Sequence, residues 1–231
     1  MPARLTLPHA QAILLLNMEA YLVTGGAGFI GSNIAEELLR RGEAVRVLDN
    51  FSGGKPENLD FVNDYPKGNY ELVEGDIREP DTCRRACRGM DYVLHQAALR
   101  SVPLSIEQPL PNNEVNITGT LNMLMAARDA GVKRLVYASS SSVYGDSARL
   151  PQQETQTPSP ISPYAVSKLA GEHYCRVFSQ VFGLETCALR YFNVFGPRQD
   201  PASQYAALVP RFILSALGDE PLEIHGDGRQ S

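Results

Sequence analysis

Hydrophobic and polar positions along the chain fall into two alternating patterns. Short apolar runs recur at Ala20-Tyr21-Leu22-Val23, Ala44-Val45-Arg46-Val47-Leu48, Tyr70-Glu71-Leu72-Val73, Asp91-Tyr92-Val93-Leu94-His95, Arg134-Leu135-Val136-Tyr137-Ala138 and Leu184-Glu185-Thr186-Cys187-Ala188-Leu189-Arg190. Rich in Val, Leu and Tyr and bounded by turn residues, they read as six strands. Between them the apolar residues take helical spacing. Ser32-Asn33-Ile34-Ala35-Glu36-Glu37-Leu38-Leu39 predicts a first helix, which stops at the basic, glycine-terminated Arg40-Arg41-Gly42. A second helix starts at Pro80 and ends at Gly89, a long one runs from Asn112 to Ala130 and stops at Gly131, and another opens at Ser162. Strands alternating with helices of this length predict an α/β fold, a parallel sheet wound on both faces. A Pro-rich loop covers 151–163, and no internal repeat interrupts the pattern.

The first strand runs into Thr24-Gly25-Gly26-Ala27-Gly28-Phe29-Ile30-Gly31. The spacing satisfies GxGxxG through Gly26, Gly28 and Gly31, and GxxGxxG through Gly25, Gly28 and Gly31. A strand, a tight glycine turn and a helix N-terminus suit a pyrophosphate, because unpaired N–H groups and the positive helix end face the anion. Asp49 follows at the end of the second strand, near the expected ~20 residues further on. A carboxylate there can accept hydrogen bonds from both hydroxyls of an adenosine ribose and repels the extra phosphate of NADP, which favours NAD. A dinucleotide-binding Rossmann domain is the reading.

Bulk properties leave this picture standing and narrow it. The 231 residues, 43% hydrophobic and 20% charged, are enough for one large domain with a full core. A formal net charge of -5 argues against nucleic acid and anionic membrane as partners, and no apolar run approaches the ~18 residues of a membrane span. The four cysteines, Cys83, Cys87, Cys175 and Cys187, lack paired CxxC spacing. A reduced pair on one helix, no metal and a reducing, cytoplasmic compartment follow. Residues 1–17, with Ala12-Ile13-Leu14-Leu15-Leu16 too short for a signal core, read as a poorly ordered extension, and Met18 as an alternative start.

Chemistry enters at Ser162-Pro163-Tyr164-Ala165-Val166-Ser167-Lys168. Ser162 caps a helix whose first turn holds Pro163, so Tyr164 and Lys168, four apart, share a face. A phenol of intrinsic pKa ~10 is a poor base at neutral pH, and a neighbouring ammonium favours the phenolate. The preceding strand ends in four serines, Ser139 to Ser142, where a hydroxyl can help the tyrosine hold a substrate alcohol. His95 reads as a packed histidine.

With these motifs in place, the sequence resembles the extended short-chain dehydrogenase/reductase family, among its nucleotide-sugar epimerases and dehydratases. The resemblance runs from about residue 20 to the end. It rests on TGGAGFIG (24–31), LDN (48–50), GDI (75–77), HQAA (95–98), NITGT (116–120), SSSSVYG (139–145), SPYAVSK (162–168) and LRYFNVFGPR (189–198). It implies Tyr164 as base, Lys168 on the nicotinamide ribose and tuning Tyr164, and Ser140 on the reacting hydroxyl. It implies Phe29 and Ile30 at the pyrophosphate, Asp49 and Asn50 at the adenosine ribose, Asp76 and Ile77 at the adenine, and Ala97, Ala98, Arg100 and Asn116 along the rest of the NAD groove. Ser141, Asn193, Val209 and Arg211 complete the implied UDP-sugar site.

Dehydratases of the family carry an acidic pair beside the serine, whereas Ser141 and Ser142 stand here, which implies epimerisation without dehydration. The stretch 190–212 is most similar to UDP-N-acetylglucosamine 4-epimerases. A UDP-glucuronate 4-epimerase or decarboxylase, and a non-catalytic NAD-binding module, stay open as alternatives. The resemblance also implies a homodimer through helices at 112–130 and 164–182. It divides the chain into a Rossmann domain at 18–190 and the start of a substrate domain at 191–231, a fragment lacking the C-terminal sugar pocket.

Overall fold

The structure, a computed structural model, describes residues 18–147, 149–200 and 208–221, without the side chains of Leu208, Pro210 and Arg211. The expected extension at 1–17 lies outside the described residues. Six strands form one parallel sheet: β1 (Ala20–Thr24), β2 (Ala44–Asp49), β3 (Tyr70–Glu74), β4 (Tyr92–His95), β5 (Arg134–Ser140) and β6 (Glu185–Tyr191), in the order β3-β2-β1-β4-β5-β6. That order is the doubly wound Rossmann arrangement, and its direction of winding reverses between β1 and β4.

Neighbouring residues on one strand serve opposite faces, as the pleat requires. Leu22 and Leu48 join Val93, Leu135, Tyr137, Met123, Leu124 and Phe178 in one core cluster, while Val23 and Val47 join Ala35, Leu38, Leu39, Leu59 and Phe61 in the other. Helix α1 (Phe29–Arg40) covers the second cluster, and α2 (Pro80–Cys87), α5 (Thr120–Asp129) and α6 (Pro163–Phe182) cover the first. Cys83 and Cys87 lie buried in α2 as free thiols. Among the described residues no helix is long and apolar enough to cross a membrane.

Several boundaries depart from the sequence expectation. α1 begins at Phe29 rather than Ser32, because Gly28 itself is the cap residue. The single helix expected over 112–130 is present as helical backbone without a gap, but it starts earlier and is not uniformly α. A short α3 (Val102–Glu107) and α4 (Pro109–Asn113) lead into a π-helical turn at Glu114–Gly119 before α5. Gly119 within that turn lets Ile77 approach, since a Cβ there would stand 2.6 Å from Ile77 Cδ1. β5 extends through the first two serines to Ser140, and a 3₁₀ turn at Ser141–Tyr144 follows. Short 3₁₀ structure at Pro56–Asp64 and α7 (Leu208–Leu217) complete the chain.

Candidate active site

The crevice opens at the carboxyl ends of β1 and β4, where ligands of doubly wound sheets bind. Its floor is the glycine turn. Gly25 has φ +66°, and a Cβ there would stand 2.9 Å from the Ala97 backbone. Gly31 is tighter still: its Cβ would lie 2.2 Å from the Gly25 carbonyl oxygen. Gly28 caps α1 without a side-chain hydrogen bond, and the first turn of α1 has no acidic residue. The N–H groups of Phe29, Ile30 and Gly31 therefore have no partner within the helix and are directed out of its positive end. A cradle that side chains would fill, lined by unpaired backbone donors, fits the pyrophosphate of a dinucleotide.

Polar side chains brace this cradle. Asp49, buried, accepts Ala27 N–H at 2.9 Å on one oxygen and Phe51 N–H at 2.8 Å on the other. Its remaining lone pairs are what it has for a ribose. Asn50 donates to Asp76 at 2.8 Å, and Arg78 grips the same carboxylate through Nε and Nη2 at 3.0 and 2.7 Å. The Arg78 hydrogen bond holds the Asp76 carboxyl down at about 2, so it is ionised throughout the neutral range. Ile77 is buried in the core.

Ala97 N–H bonds Thr24 Oγ1 at 3.2 Å, which lays the end of β4 against the turn. His95 is enclosed between Thr24 Oγ1 at 2.7 Å and Thr120 Oγ1 at 3.1 Å, and burial pushes its imidazole down to about 3. It is a neutral packed histidine, as expected. Asn116 is buried too. Its amide accepts Leu99 N–H at 2.8 Å and donates to Leu99 O at 2.9 Å and Ser167 Oγ at 3.1 Å. These bonds tie the groove segment beside Arg100 to α6.

The catalytic candidates converge across β5 and α6. Ser162 caps α6, accepting Ala165 N–H at 3.2 Å. The cap starts the helix so that Tyr164 meets Ser140 and Lys168 lies under the end of β5. Lys168 Nζ donates to Ala138 O at 2.9 Å and lies over the Tyr164 ring, 5.8 Å from its centroid. Only 4% exposed, its ammonium is pushed down by burial to about 8. The Tyr164 phenol behaves differently from the sequence expectation. Burial raises it, and the Ser140 hydroxyl and the Arg100 charge pull it back only in part. Ser140 Oγ also accepts Ser142 N–H at 3.1 Å, which turns the strand end into the 3₁₀ turn.

Not every sequence candidate joins this cluster. Asn193 is exposed just past β6, Val209 sits at the start of α7, and the Arg211 side chain lies outside the described residues. Two residues went unnoticed in the sequence. Glu172 stands one turn beyond Lys168 on α6 and accepts the Ser139 hydroxyl at 2.5 Å. Arg190 on β6 pairs with it at 2.8 Å. Extending the four-residue spacing of Tyr164 and Lys168 by one step would have reached Glu172.

Comparison with known proteins identifies the family. Residues 21–231 match the profile of the NAD dependent epimerase/dehydratase family. The chain is 39% identical over 212 residues to a putative UDP-glucose 4-epimerase of Methanocaldococcus jannaschii, covering 91% of this chain and 67% of the relative. A UDP-N-acetylglucosamine 4-epimerase from Methanobrevibacter ruminantium M1, solved in complex with UDP-N-acetylmuramic acid, is 42% identical with a TM-score of 0.86, over 92% of this chain and 67% of that one. The Thermus thermophilus UDP-glucose 4-epimerase in complex with NAD is 46% identical with a TM-score of 0.77, over 87% and 64% respectively. The chain thus spans about two thirds of the length of these relatives.

Proposed function

Since the chain belongs to the NAD dependent epimerase/dehydratase family, we propose that it performs NAD-dependent 4-epimerisation of a UDP-sugar, UDP-N-acetylglucosamine or UDP-glucose. The observation that carries this reading is the convergence of Ser140, Tyr164 and Lys168 at the carboxyl end of β5, with serines and no acid following Ser140. The glycine turn at Gly25–Gly31 would hold NAD, which would supply reversible hydride transfer at sugar C4. Tyr164 takes the proton of the 4-hydroxyl as the hydride leaves and gives it back on return. Ser140 hydrogen-bonds the oxygen while it is a carbonyl. Lys168, anchored by one N–H on Ala138 O, keeps two donors for the nicotinamide ribose. A bound ribose hydroxyl or a second cation near the phenol is what this arrangement needs to offset the burial that raises Tyr164.

A homodimer is part of the same reading. Val166, Val177 and Val181 of α6 and Met125 of α5 are exposed apolar residues that a second copy would cover. Sedimentation velocity giving a monomer at assay concentration would remove this element.

The test of the activity offers the chain, with NAD, UDP-glucose, UDP-N-acetylglucosamine and UDP-glucuronate, and separates the products by chromatography. Epimerised product from one of the first two, reduced ~10²–10⁴-fold in Tyr164→Phe with NAD binding intact, is the expected outcome. Turnover of UDP-glucuronate alone would replace the substrate, and a chain that neither binds NAD nor turns over any of them would overturn the reading.

A further inference from the structure

Three residues of α6 engage the end of β5 in succession. Tyr164 meets Ser140, Lys168 donates to Ala138 O, and Glu172 accepts the hydroxyl of Ser139. Glu172 is the only carboxylate on this helix, and three hydrogen bonds hold it. Arg190 of β6 reaches it as a fork, Nε to Oε1 at 2.9 Å and Nη2 to Oε2 at 2.8 Å. The guanidinium then lies 4.7 Å from the centroid of the Tyr144 ring, which ends the serine turn and is itself buried. The pair is largely covered, with side chains 14% and 17% exposed for Glu172 and Arg190. Burial alone would raise the Glu172 carboxyl, but the bonds from Arg190 and Ser139 hold it below its ordinary value.

Ser139 and Ser140 are consecutive at the end of β5, so anchoring Ser139 to α6 fixes the backbone that carries the Ser140 hydroxyl. An isolated ion pair would have no need of the serine, and an isolated serine bond would have no need of the fork. We propose that Glu172 is a positioning residue. With Arg190 and Ser139 it locks the rotation and height of the β5 end, so that the Ser140 hydroxyl stays in register with the Tyr164 phenol. The kinetic part of this proposal rests on the epimerase reading, whereas the positional part does not.

The experiment uses the full chain with Ser139→Ala, Glu172→Gln and the neutral pair Glu172→Gln/Arg190→Gln. Two quantities are read: kcat and KM for the UDP-sugar, and the titration of the Tyr164 phenol by NMR of 13Cζ-tyrosine, assigned with Tyr164→Phe. Ser139→Ala and Glu172→Gln are expected to lower kcat roughly tenfold or more, with KM and NAD affinity within about twofold, because a small misalignment of reacting groups acts on the chemical step. The Tyr164 titration is expected to move upward as the Ser140 hydroxyl leaves it. The neutral pair should recover the melting temperature lost in Glu172→Gln, where Arg190 is left as an unmatched cation, without recovering kcat. A Tyr164 titration unchanged in both Ser139→Ala and Glu172→Gln would overturn the proposal, whether or not the chain proves to be an epimerase. So would variants that melt earlier yet keep full kcat.

Discussion

The two ends of the ligand crevice are built from different materials. At β1 the surface offered to a ligand is backbone: glycines that leave no room for a Cβ, helix N–H groups, and an aspartate whose oxygens are held by Ala27 and Phe51 N–H. Apolar residues back it on both faces of the sheet, Leu22 and Leu48 on one and Val23 and Val47 on the other. At β5 and β6 the surface is side chain: Ser140, Tyr164 and Lys168, with Glu172 and Arg190 behind them. Among the described residues, Cys187 and Leu189 on one face of β6 are exposed here. The cofactor end therefore fails when atoms are added, and the catalytic end fails when a functional group is changed.

The largest expected effect tests the first half of that contrast. Gly31→Ala puts a methyl group 2.2 Å from the Gly25 oxygen and 2.8 Å from the Gly26 Cα, both backbone atoms that cannot swing aside. Overpacking of this kind costs ~1–3 kcal/mol, so calorimetric NAD affinity should fall about 10- to 100-fold. Affinity equal to that of the parent chain would erase the distinction between the two ends. Tyr164→Phe, which adds no atoms, is the matched control and should leave NAD affinity intact.

A middle-sized effect concerns His95, which joins the halves through Thr24 and Thr120. Burial holds its folded pKa near about 3, below the ~6.5 of an unfolded histidine. Between those values the unfolded chain binds a proton that the folded chain does not. Stability on this account is full above ~6.5 and is lost as pH falls toward about 3, by about 2 kcal/mol between pH ~6.5 and ~5. Urea midpoints at those two pH values should differ less in His95→Gln by that amount. Parallel slopes in the two proteins would mean that His95 charges inside the fold.

The smallest effect probes the strap that links the halves across α1. Asn33 Nδ2 bonds Pro197 O at 3.0 Å, Arg198 pairs with Glu36 and lies 4.9 Å from the centroid of the Phe61 ring, and Gly196 packs at the edge of Phe29. Such contacts are worth ~0.5–1 kcal/mol. Arg198→Ala should therefore speed NAD dissociation only a few-fold in stopped-flow displacement. An unchanged rate would confine the strap to the packing of α1.

Much of the site could be read in advance because its signals are local. The glycine spacing at 25–31, the Ser162 cap and the Tyr164–Lys168 spacing each lie within a few residues, and each produces the expected turn, cap and shared face. Where the reading slipped, a distant partner was responsible. The expected helix over 112–130 takes up a π-helical turn that contains Asn116, whose side chain bridges Leu99 and Ser167, and Gly119, which lies under Ile77. Local spacing likewise does not carry the bond of Lys168 to Ala138 O, thirty residues away.

By itself the sequence determined the doubly wound sheet, the glycine turn after its first strand and the helix cap that sets Tyr164 and Lys168 on one face, because period, capping and glycine geometry act within one or two turns of chain. Only the tertiary structure decided how β5 sits against α6, that burial raises the Tyr164 phenol, and that Glu172 bonds both Ser139 and Arg190. Those outcomes depend on burial and on hydrogen bonds between groups far apart in the chain, and no local pattern carries the distance between them.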